Sequence, residues 1–182
     1  MNGIGGSGDF AGNRNVSIKE QLKQGKELIR RKHTGSSYIA YFQAYTNTYA
    51  PVEYLRRIYT EALSHPDVCG ISIATRPDCL GKEVLGLLEE LQGTFPDKFI
   101  WIELGLQTIH EETAEYIRRG YPLSCFEEAV ESLSSRDIPY IVHVILGLPG
   151  ETPDMIYETI QYLNALHPFG IKLQLLHILD GT

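Results

Sequence analysis

Short apolar segments alternate with amphipathic segments along the chain, and this alternation limits the folds that it can adopt. Each apolar segment has the length of a buried strand, and each amphipathic segment places its apolar residues on one helical face. The predicted strands cover residues 37–43, 68–74, 99–105, 139–146 and 171–177. The predicted helices cover residues 17–33, 52–64, 81–92, about 111–118, 123–136 and 153–166. Apolar strands separated by helices form a parallel sheet covered by those helices, so the predicted fold class is α/β.

Capping sequences mark the beginnings of three predicted helices. Ser17 with Glu20, and Ser124 with Glu127, have the spacing of a capping box. Thr152 stands directly before a proline, which predicts that Thr152 is the N-cap of the last helix.

The alternation is incomplete at both ends of the chain. A helix comes first, with no strand before it, and the chain stops soon after the last predicted strand. We therefore expect residues 17–182 to form one compact domain that is most of a larger βα barrel. Residues 1–16 are expected to be disordered or the remnant of a loop.

The charge balance bears on the class of partner. The chain has 182 residues and a net charge of −7, from 16 basic and 23 acidic residues. A broad nucleic-acid-binding surface needs clustered Lys and Arg to displace counterions, so this balance argues against one. A nucleic acid that is held mainly by another segment or a partner remains compatible with it. No stretch has the length and apolar character of a membrane span, and no signal-peptide pattern is present, which predicts a cytoplasmic protein without a membrane partner.

The cysteines do not form a recognisable metal-binding motif. Cys69 and Cys79 are 10 positions apart, and Cys79 and Cys125 are 46 positions apart. Neither spacing resembles a zinc or iron–sulfur motif. The sequence therefore predicts no metal site in this chain.

Polar residues gather where each predicted strand ends. These clusters lie at residues 43–46, 75–78, 103–107 and 143–151 and at His177. The carboxyl ends of parallel strands share one face of a barrel or sheet, and ligands bind there in βα proteins. We expect the functional site on that face.

The most specific cluster joins Glu103, Gln107 and Arg119. Glu103 interrupts a very apolar strand, Gln107 follows that strand, and Arg119 ends the next predicted helix, 12 residues after Gln107. An unpaired buried carboxylate is costly, so Glu103 needs a partner or exposure at the barrel mouth. An arginine folded over the mouth can hold a carboxylate through two N–H groups. A ligand site and a structural Glu103–Arg119 ion pair are both consistent with the pattern.

Three other features each allow two interpretations. Residues 147–152 join a strand to a helix, where Gly147 permits close backbone approach to a ligand, although an ordinary tight turn has the same composition. In Thr-Arg-Pro-Asp at 75–78, turn chemistry explains the proline and the aspartate but not the threonine and the arginine. His143 interrupts an apolar strand, and its role depends on which face of the sheet it occupies.

Taken together, several segments resemble the radical S-adenosylmethionine (radical SAM) enzymes. Ile-Glu-Leu-Gly-Leu-Gln-Thr-Ile-His at 102–110, continuing to Arg-Arg-Gly-Tyr at 118–121, resembles their fourth-strand segment. Val-Ile-Leu-Gly-Leu-Pro-Gly-Glu-Thr at 144–152 resembles their fifth-strand motif, and residues 75–78 resemble a segment of the Elongator-like group. The branch is the one that holds the Elongator catalytic subunit and the oxygen-independent coproporphyrinogen oxidases. Residues 6–12, Gly-Ser-Gly-Asp-Phe-Ala-Gly, resemble a bacterial group of Fe–S oxidoreductases.

This resemblance implies a fold and a set of cofactor contacts. The fold is a parallel-stranded partial (βα)6 TIM-like barrel without its first strand, and SAM lies across the carboxyl ends of the strands. By the resemblance, Gln107 and Arg119 orient the methionyl carboxylate, and Glu103 helps to order the site. His143 occupies the position of a ribose-contacting residue, and Gly147 lets the backbone approach the adenine.

Two threonines complete the implied cofactor contacts. Relatives use a Gly-Gly-Thr segment to contact the methionyl amino group, and here Ala-Tyr-Thr at 44–46 keeps only Thr46. Thr75 begins the segment that resembles the Elongator-like group, and it is expected to contact the cofactor as well.

The resemblance also implies partners that this chain does not hold by itself. Radical SAM enzymes bind a [4Fe–4S] cluster through a CxxxCxxC loop, and no such spacing occurs here. We expect the parent protein to carry the loop and this chain alone to be inactive, because thiolates hold such a cluster. An electron donor such as flavodoxin or ferredoxin is implied, and tRNA is a candidate substrate.

The leading hypothesis is therefore the core of a radical SAM Fe–S oxidoreductase that makes a 5′-deoxyadenosyl radical, with tRNA modification as one role. A first alternative is a cofactor-independent βα-barrel lyase or hydrolase with Glu103 as base and Arg119 as anion clamp. A second alternative is a non-catalytic binding module on the same barrel.

Overall fold

The computed structural model describes residues 16–29, 35–43 and 45–177. The helices are α1 Ile18–Ile29, α2 Val52–Leu63, α3 Lys82–Thr94, α4 Glu111–Tyr116, α5 Leu123–Ser134 and α6 Pro153–Leu166, with a short 3-10 helix at Pro77–Cys79. The strands are β1 Tyr38–Phe42, β2 Val68–Thr75, β3 Phe99–Gln107, β4 Tyr140–Leu146 and β5 Gly170–Leu175. All of the predicted strands and helices are therefore present, and the short 3-10 helix was not predicted. The expectation for residues 1–16 falls almost wholly outside the described residues.

The strands form one sheet in which their order follows the order of the chain. The pairs β1–β2, β3–β4 and β4–β5 are parallel, which confirms the α/β fold class and the parallel sheet. The chain divides into two compact units. The first unit holds the described residues up to Ala74 together with Gly81–Trp101, and the second holds Thr75–Leu80 and the described residues from Ile102 onward. The single domain expected over residues 17–182 stays a prediction.

The first unit has its core where α2 and α3 pack. Leu55, Tyr59 and Leu63 lie on one face of α2 and are at most 1% exposed, as helical periodicity requires. Gly70 in β2 has no room for a side chain, because a Cβ there would lie 2.4 Å from the ring of Phe99. This close approach explains a glycine in the middle of a buried strand.

The second unit buries one face of β3 completely. Ile102, Leu104 and Leu106 alternate along the strand and each is 0% exposed. Alternation places Glu103 and Gly105 on the opposite face. The apolar face forms the core, so the polar chemistry of β3 is confined to its other face.

Two of the three predicted helix caps are present. The backbone N–H of Glu20 donates to Oγ of Ser17 at 3.2 Å, and that of Met155 donates to Oγ1 of Thr152 at 3.3 Å. The predicted cap at Ser124 is wrong, because α5 begins at Leu123 and has Pro122 as its N-cap, without a side-chain cap, so Ser124 lies inside the first turn. Within the described ranges, no helix combines the length and the apolar character that a membrane span requires.

Candidate functional site

The carboxyl end of β3 bends sharply at Gln107. Gln107 is the last residue of the strand and has a φ of 66°, and the pairing with β4 is irregular between Gly105 and Gln107. A Cβ at Gly105 would lie 2.6 Å from Nε2 of Gln107 and 3.0 Å from the hydroxyl of Tyr121. Gly105 is therefore required for the position of the Gln107 side chain.

Tyr121 is the centre of the site. Its hydroxyl lies 2.9 Å from the carbonyl oxygen of Gly105 and 3.2 Å from Oε1 of Gln107, and these two acceptors share its single proton. Because Oε1 of Gln107 is the acceptor here, the amide nitrogen keeps its donors, and no described residue accepts from it. Burial raises the pKa of Tyr121 to about 12, so the hydroxyl remains a proton donor at neutral pH.

Arg119 is enclosed by the chain around it, with 1% of its side chain exposed. Its Nε donates to the carbonyl oxygen of Tyr121 at 2.9 Å, and Nη1 donates to those of Leu106 and Thr108 at 3.2 and 2.7 Å. Nη2 lies 3.0 and 3.2 Å from the two carboxylate oxygens of Glu111. Arg119 follows α4, which ends at Tyr116, rather than ending that helix as the sequence predicted.

Arg76 also contacts the ring of Tyr121. Its guanidinium carbon is 5.0 Å from the ring centroid of Tyr121, and that of Arg119 is 5.2 Å from it. Nε and Nη2 of Arg76 donate to the two carboxylate oxygens of Asp78 at 2.9 and 2.7 Å. This ion pair lowers the pKa of Asp78 and raises that of Arg76, since each charge favours the other.

These side chains border a cavity of about 300 Å³ in the second unit. Its lining residues are Arg76, Gln107, Ile117, Arg119, Tyr121, Ile145, Leu148 and Leu176. One part of the wall is polar and carries Gln107 and the arginines, and the other part is aliphatic. A larger depression of about 460 Å³ is bordered by acidic residues of α4 and contains none of the predicted site residues. A mixed wall of this kind suits a ligand with both an apolar ring and a charged group.

A charged cluster crosses three strands on one face of the sheet. Oε2 of Glu103 lies 2.5 Å from Nε2 of His143 and 3.1 Å from Nζ of Lys172. Gly105, His143 and Lys172 are paired in register on β3, β4 and β5. His143 and Ile145 share a face of β4, so the cluster lies roughly 7 Å along the strands from the cavity wall.

The partners of Glu103 and Arg119 differ from the structural pair that the sequence allowed. The carboxylate that Arg119 binds belongs to Glu111, whereas Glu103 binds His143 and Lys172. Sequence reasoning missed Lys172 and Tyr121. The available signals were a lysine in an apolar strand and a tyrosine beside an arginine and a glycine.

Three further residues were predicted at the site, and each lies in a different segment of the chain. Thr75 ends β2 and is 6% exposed, and its hydroxyl lies 3.4 Å from the carbonyl oxygen of Arg76. Gly147 has a φ of 82° and follows β4, next to the cavity-lining Leu148. Thr46 belongs to the first unit, where the side chain of its neighbour Asn47 donates to the carbonyl oxygens of Phe42 and Ala74 at 2.9 and 3.0 Å. The second unit therefore brings Gln107 and Arg119 together at the cavity, and Glu103 and His143 beside it.

Comparison with known proteins identifies the family. Residues 7–163 match the Radical SAM superfamily, so the chain belongs to that superfamily, as the sequence motifs predicted. The protein YtqA of Bacillus subtilis is 48% identical over 177 residues, which are 97% of this chain and 54% of that protein. The protein YhcC of Escherichia coli strain K12 is 39% identical over 166 residues, which are 91% of this chain and 52% of that protein. The chain thus spans about half the length of these relatives.

Solved structures support the fold. The archaeal Elp3 of Methanocaldococcus infernus superposes with a TM-score of 0.74 at 18% identity, covering 92% of this chain and 44% of that one. The radical SAM methyltransferase TsrM of Kitasatospora setae, solved with tryptophan substrate and a SAM analogue, has a TM-score of 0.55 at 16% identity, covering 87% of this chain and 30% of that one. The partial TIM-like barrel expected from the motifs is confirmed. Enzymes of the superfamily use SAM and a [4Fe–4S] cluster.

The residues described here fit SAM better than they fit the cluster. The cavity offers an aliphatic wall and amide and guanidinium donors, which match an adenosyl group that carries a carboxylate. Cys69, Cys79 and Cys125 form no disulfide, and burial raises the pKa of the Cys79 and Cys125 thiols, which disfavours the thiolate ligand. In the part of the chain that the structure describes, no group of three or more His, Cys, Asp or Glu residues is placed to hold a metal ion.

Proposed function

We propose that this chain is the SAM-binding part of a radical SAM enzyme whose full-length form generates a 5′-deoxyadenosyl radical. The observation that carries the proposal is the cavity of about 300 Å³, where an aliphatic wall and the amide of Gln107 meet in a member of this superfamily. In this family, one-electron cleavage of SAM supplies the radical that takes a hydrogen atom from the substrate.

The aliphatic side of the cavity is suited to the adenine. Ile145 and Leu148 flank Gly147, and the positive φ of Gly147 turns the chain so that Leu148 lies 3% exposed on the wall. Leu176 completes this side. Contact with these side chains removes apolar ring surface from water, which favours binding and excludes solvent from the neighbouring polar groups.

The polar side of the cavity is suited to orient the amino-acid part of the ligand. Tyr121 fixes the Gln107 carboxamide by donating to Oε1, so the two N–H groups on Nε2 have a defined direction. A carboxylate accepts hydrogen bonds only, and a donor that is already positioned binds it with little loss of side-chain entropy. His143, held through Nε2 by Glu103, keeps Nδ1 for a ligand hydroxyl.

The alternatives have less support. A lyase or hydrolase with Arg119 as anion clamp requires a guanidinium that reaches the ligand, whereas the partners of Arg119 are backbone carbonyls and Glu111. A non-catalytic binding module could use the same cavity donors, and it is membership of the Radical SAM superfamily that favours an enzyme over such a module.

Calorimetry of the full-length, cluster-loaded protein tests the proposal. We expect SAM and S-adenosylhomocysteine to bind, and we expect Gln107→Ala to weaken both by about tenfold through the lost amide donor. The matched control is Gln161→Ala, which removes the same group from an exposed position on α6. Absence of SAM binding by the loaded full-length protein would reject the proposal.

We further propose a tRNA substrate for the full-length enzyme. The support comes from relatives: the tRNA uridine(34) acetyltransferase of Methanocaldococcus jannaschii is 26% identical over 115 residues, and human Elongator complex protein 3 is 27% identical over 140. With a net charge of −7, this chain is expected to leave most phosphate contacts to other parts of the protein. Mass spectrometry of tRNA nucleosides from a deletion strain should show one modification that is lost and then restored by the gene, and an unchanged nucleoside profile would contradict the proposal.

A further inference from the structure

Three exposed tyrosines fall within ten consecutive residues, between the end of β1 and the first turn of α2. The exposed fractions of Tyr45, Tyr49 and Tyr54 are 67%, 83% and 48%. Residues 45–51 follow the carboxyl end of β1, and in parallel α/β sheets the loops at that end of the strands receive ligands. Rings with this exposure contribute little to the core, and they are accessible to a partner that covers aromatic surface.

The backbone between β1 and α2 is held in a fixed shape by Asn47. Nδ2 of Asn47 lies 2.9 Å from the carbonyl oxygen of Phe42, 3.2 Å from that of Tyr45 and 3.0 Å from that of Ala74, and these three acceptors share its two N–H groups. The carbonyl oxygen of Asn47 accepts a hydrogen bond from the hydroxyl of the buried Tyr59 at 2.6 Å. The backbone that carries the exposed rings therefore needs little further ordering when a partner binds, which lowers the entropic cost of binding.

Tyr45 has a backbone conformation that tyrosine rarely adopts. Its φ is 62°, in the left-handed region that favours glycine. A residue keeps such a conformation only where the surrounding contacts impose it, and here the carbonyl oxygen of Tyr45 is one of the three that bind Asn47. Strained backbone of this kind is concentrated at binding sites, and in this segment it accompanies the exposed rings that precede and follow Asn47 in the sequence.

The first turns of α2 add a positive charge next to Tyr54. The guanidinium carbon of the exposed Arg57 lies 5.2 Å from the centroid of the Tyr54 ring. The neighbouring Arg56 is bound to Glu53 at 3.3 Å and to Glu90, whereas no residue that the structure describes forms an ion pair with Arg57. The charge of Arg57 is thus available to an anionic partner, and the contact with the aromatic ring favours its position.

This arrangement suits a single-stranded nucleic acid better than a protein. A protein interface buries a continuous apolar centre, whereas unpaired bases stack one at a time on separate aromatic rings and on arginine. Tyr45 and Tyr49 are separated in the sequence by the polar residues 46–48, and a cation follows them on α2. Stacking on an aromatic ring does not use the phosphate charge, so it is compatible with the net charge of −7.

We propose that Tyr45 and Tyr49 stack with unpaired bases of an RNA substrate, and that Arg57, beside Tyr54, contacts an adjoining phosphate. This inference rests on the tRNA substrate proposed above and names the surface of this chain that receives it. Base stacking, rather than phosphate contact, is then the main contribution of this chain to RNA binding.

Binding of a labelled RNA stem-loop to the full-length protein, measured by fluorescence anisotropy, tests the assignment. Tyr49→Ala should weaken binding by about tenfold or more, whereas Tyr49→Phe should stay within about twofold of the parent protein, because stacking needs the ring and not the hydroxyl.

The salt dependence of the same binding separates stacking from phosphate contact. Arg57→Met should reduce the slope of log affinity against log salt concentration by about 0.7, the value for one phosphate of a single strand. Tyr49→Ala should leave that slope unchanged, because the tyrosine ring displaces no counterion. A slope that changes in Tyr49→Ala and not in Arg57→Met would contradict these roles.

Tyr157→Ala is the matched control, because it removes a ring that is 63% exposed from α6 in the second unit. It should leave the affinity for the stem-loop within about twofold of the parent protein. An unchanged affinity in Tyr49→Ala would overturn the assignment, and a changed sedimentation coefficient of that variant would then assign this surface to a protein interface. Equal losses in Tyr49→Ala and Tyr49→Phe would also overturn it, since the hydroxyl would then carry the contact.

The assignment and the proposed function fail in different ways. If the parent protein binds the stem-loop and Tyr49→Ala binds it equally well, only the assignment of this surface is overturned. Failure of the parent protein to bind the stem-loop would overturn the assignment together with the proposed tRNA substrate. Calorimetry with SAM decides the cofactor proposal separately in either case.

Discussion

The imidazole of His143 donates through Nε2 to the carboxylate of Glu103 at 2.5 Å, between neighbouring strands of the parallel sheet. Lys172 on the next strand lies 3.1 Å from the same carboxylate oxygen. A carboxylate that is 8% exposed is thus balanced by hydrogen bonds from two side chains, one of them an ammonium group. The cluster satisfies the polar residue that interrupts an otherwise apolar strand.

Removal of this carboxylate should destabilise the chain. We expect Glu103→Ala to lower the free energy of unfolding by about 1–3 kcal/mol, because His143 loses its acceptor where water has little access. Urea unfolding monitored by circular dichroism measures the change. Glu128→Ala, at an exposed position on α5, is the control and should change stability by less than about 0.5 kcal/mol. Equal stabilities of the two variants would refute this account of Glu103.

Gly105 should not tolerate a side chain. We expect Gly105→Ala to destabilise by about 1–3 kcal/mol, since its Cβ would lie 2.6 Å from Nε2 of Gln107. Gly86→Ala is the matched control on α3, where a Cβ meets nothing within 4 Å. There the same change should stabilise by roughly 0.5–1 kcal/mol, because alanine favours helix. If thermal unfolding shows that the two substitutions both stabilise or both destabilise the chain, the predicted crowding at Gly105 is contradicted.

The two arginines of the cavity should differ in their effect on folding. We expect Arg119→Met to destabilise by about 3–5 kcal/mol, because buried carbonyl oxygens and Glu111 lose their donor. Arg76→Met breaks a partly exposed ion pair with Asp78 and should cost about 1 kcal/mol or less. Urea unfolding of both variants measures the difference, and a larger loss in Arg76→Met would contradict this prediction.

Tyr121 should make stability decrease at alkaline pH. Its pKa in the folded chain is about 12, above the ordinary value of 10.0, so the folded state binds the proton more tightly than the unfolded state does. The contribution of the Tyr121 hydroxyl to the free energy of unfolding is therefore complete below pH 10 and is lost as pH rises from about 10 to 12.

Over that pH interval the Tyr121→Phe variant should lose about 1–2 kcal/mol less unfolding free energy than the parent protein, because phenylalanine does not titrate. Tyr59 and Tyr162 also have a raised pKa and contribute in both proteins, so the difference between the two slopes reports on Tyr121. Unfolding free energies measured at a series of pH values give both slopes. Identical slopes would show that the Tyr121 hydroxyl titrates as an exposed phenol does.

Sequence patterns predicted the elements of this fold more closely than the contacts at its site. Apolar periodicity located the strands and helices, because the residues that a strand or a helix buries recur at a fixed interval along the chain. The cap predicted at Ser124 is wrong because α5 begins at Leu123, after Pro122, which places Ser124 inside the first turn. Local signals of this kind place an element within a residue or so without fixing its first turn.

The sequence by itself determined the alternation of strands and helices, the family motifs, and the polar residues grouped at and near the carboxyl ends of the strands. Only the tertiary structure decided which of those residues meet: Glu103 with His143 and Lys172, Arg119 with Glu111, and Arg76 with Tyr121. The physical reason is that secondary structure follows from periodicities along the chain. Hydrogen-bond partners depend instead on strand register and on turns such as that at Gln107, which bring together residues up to 69 positions apart.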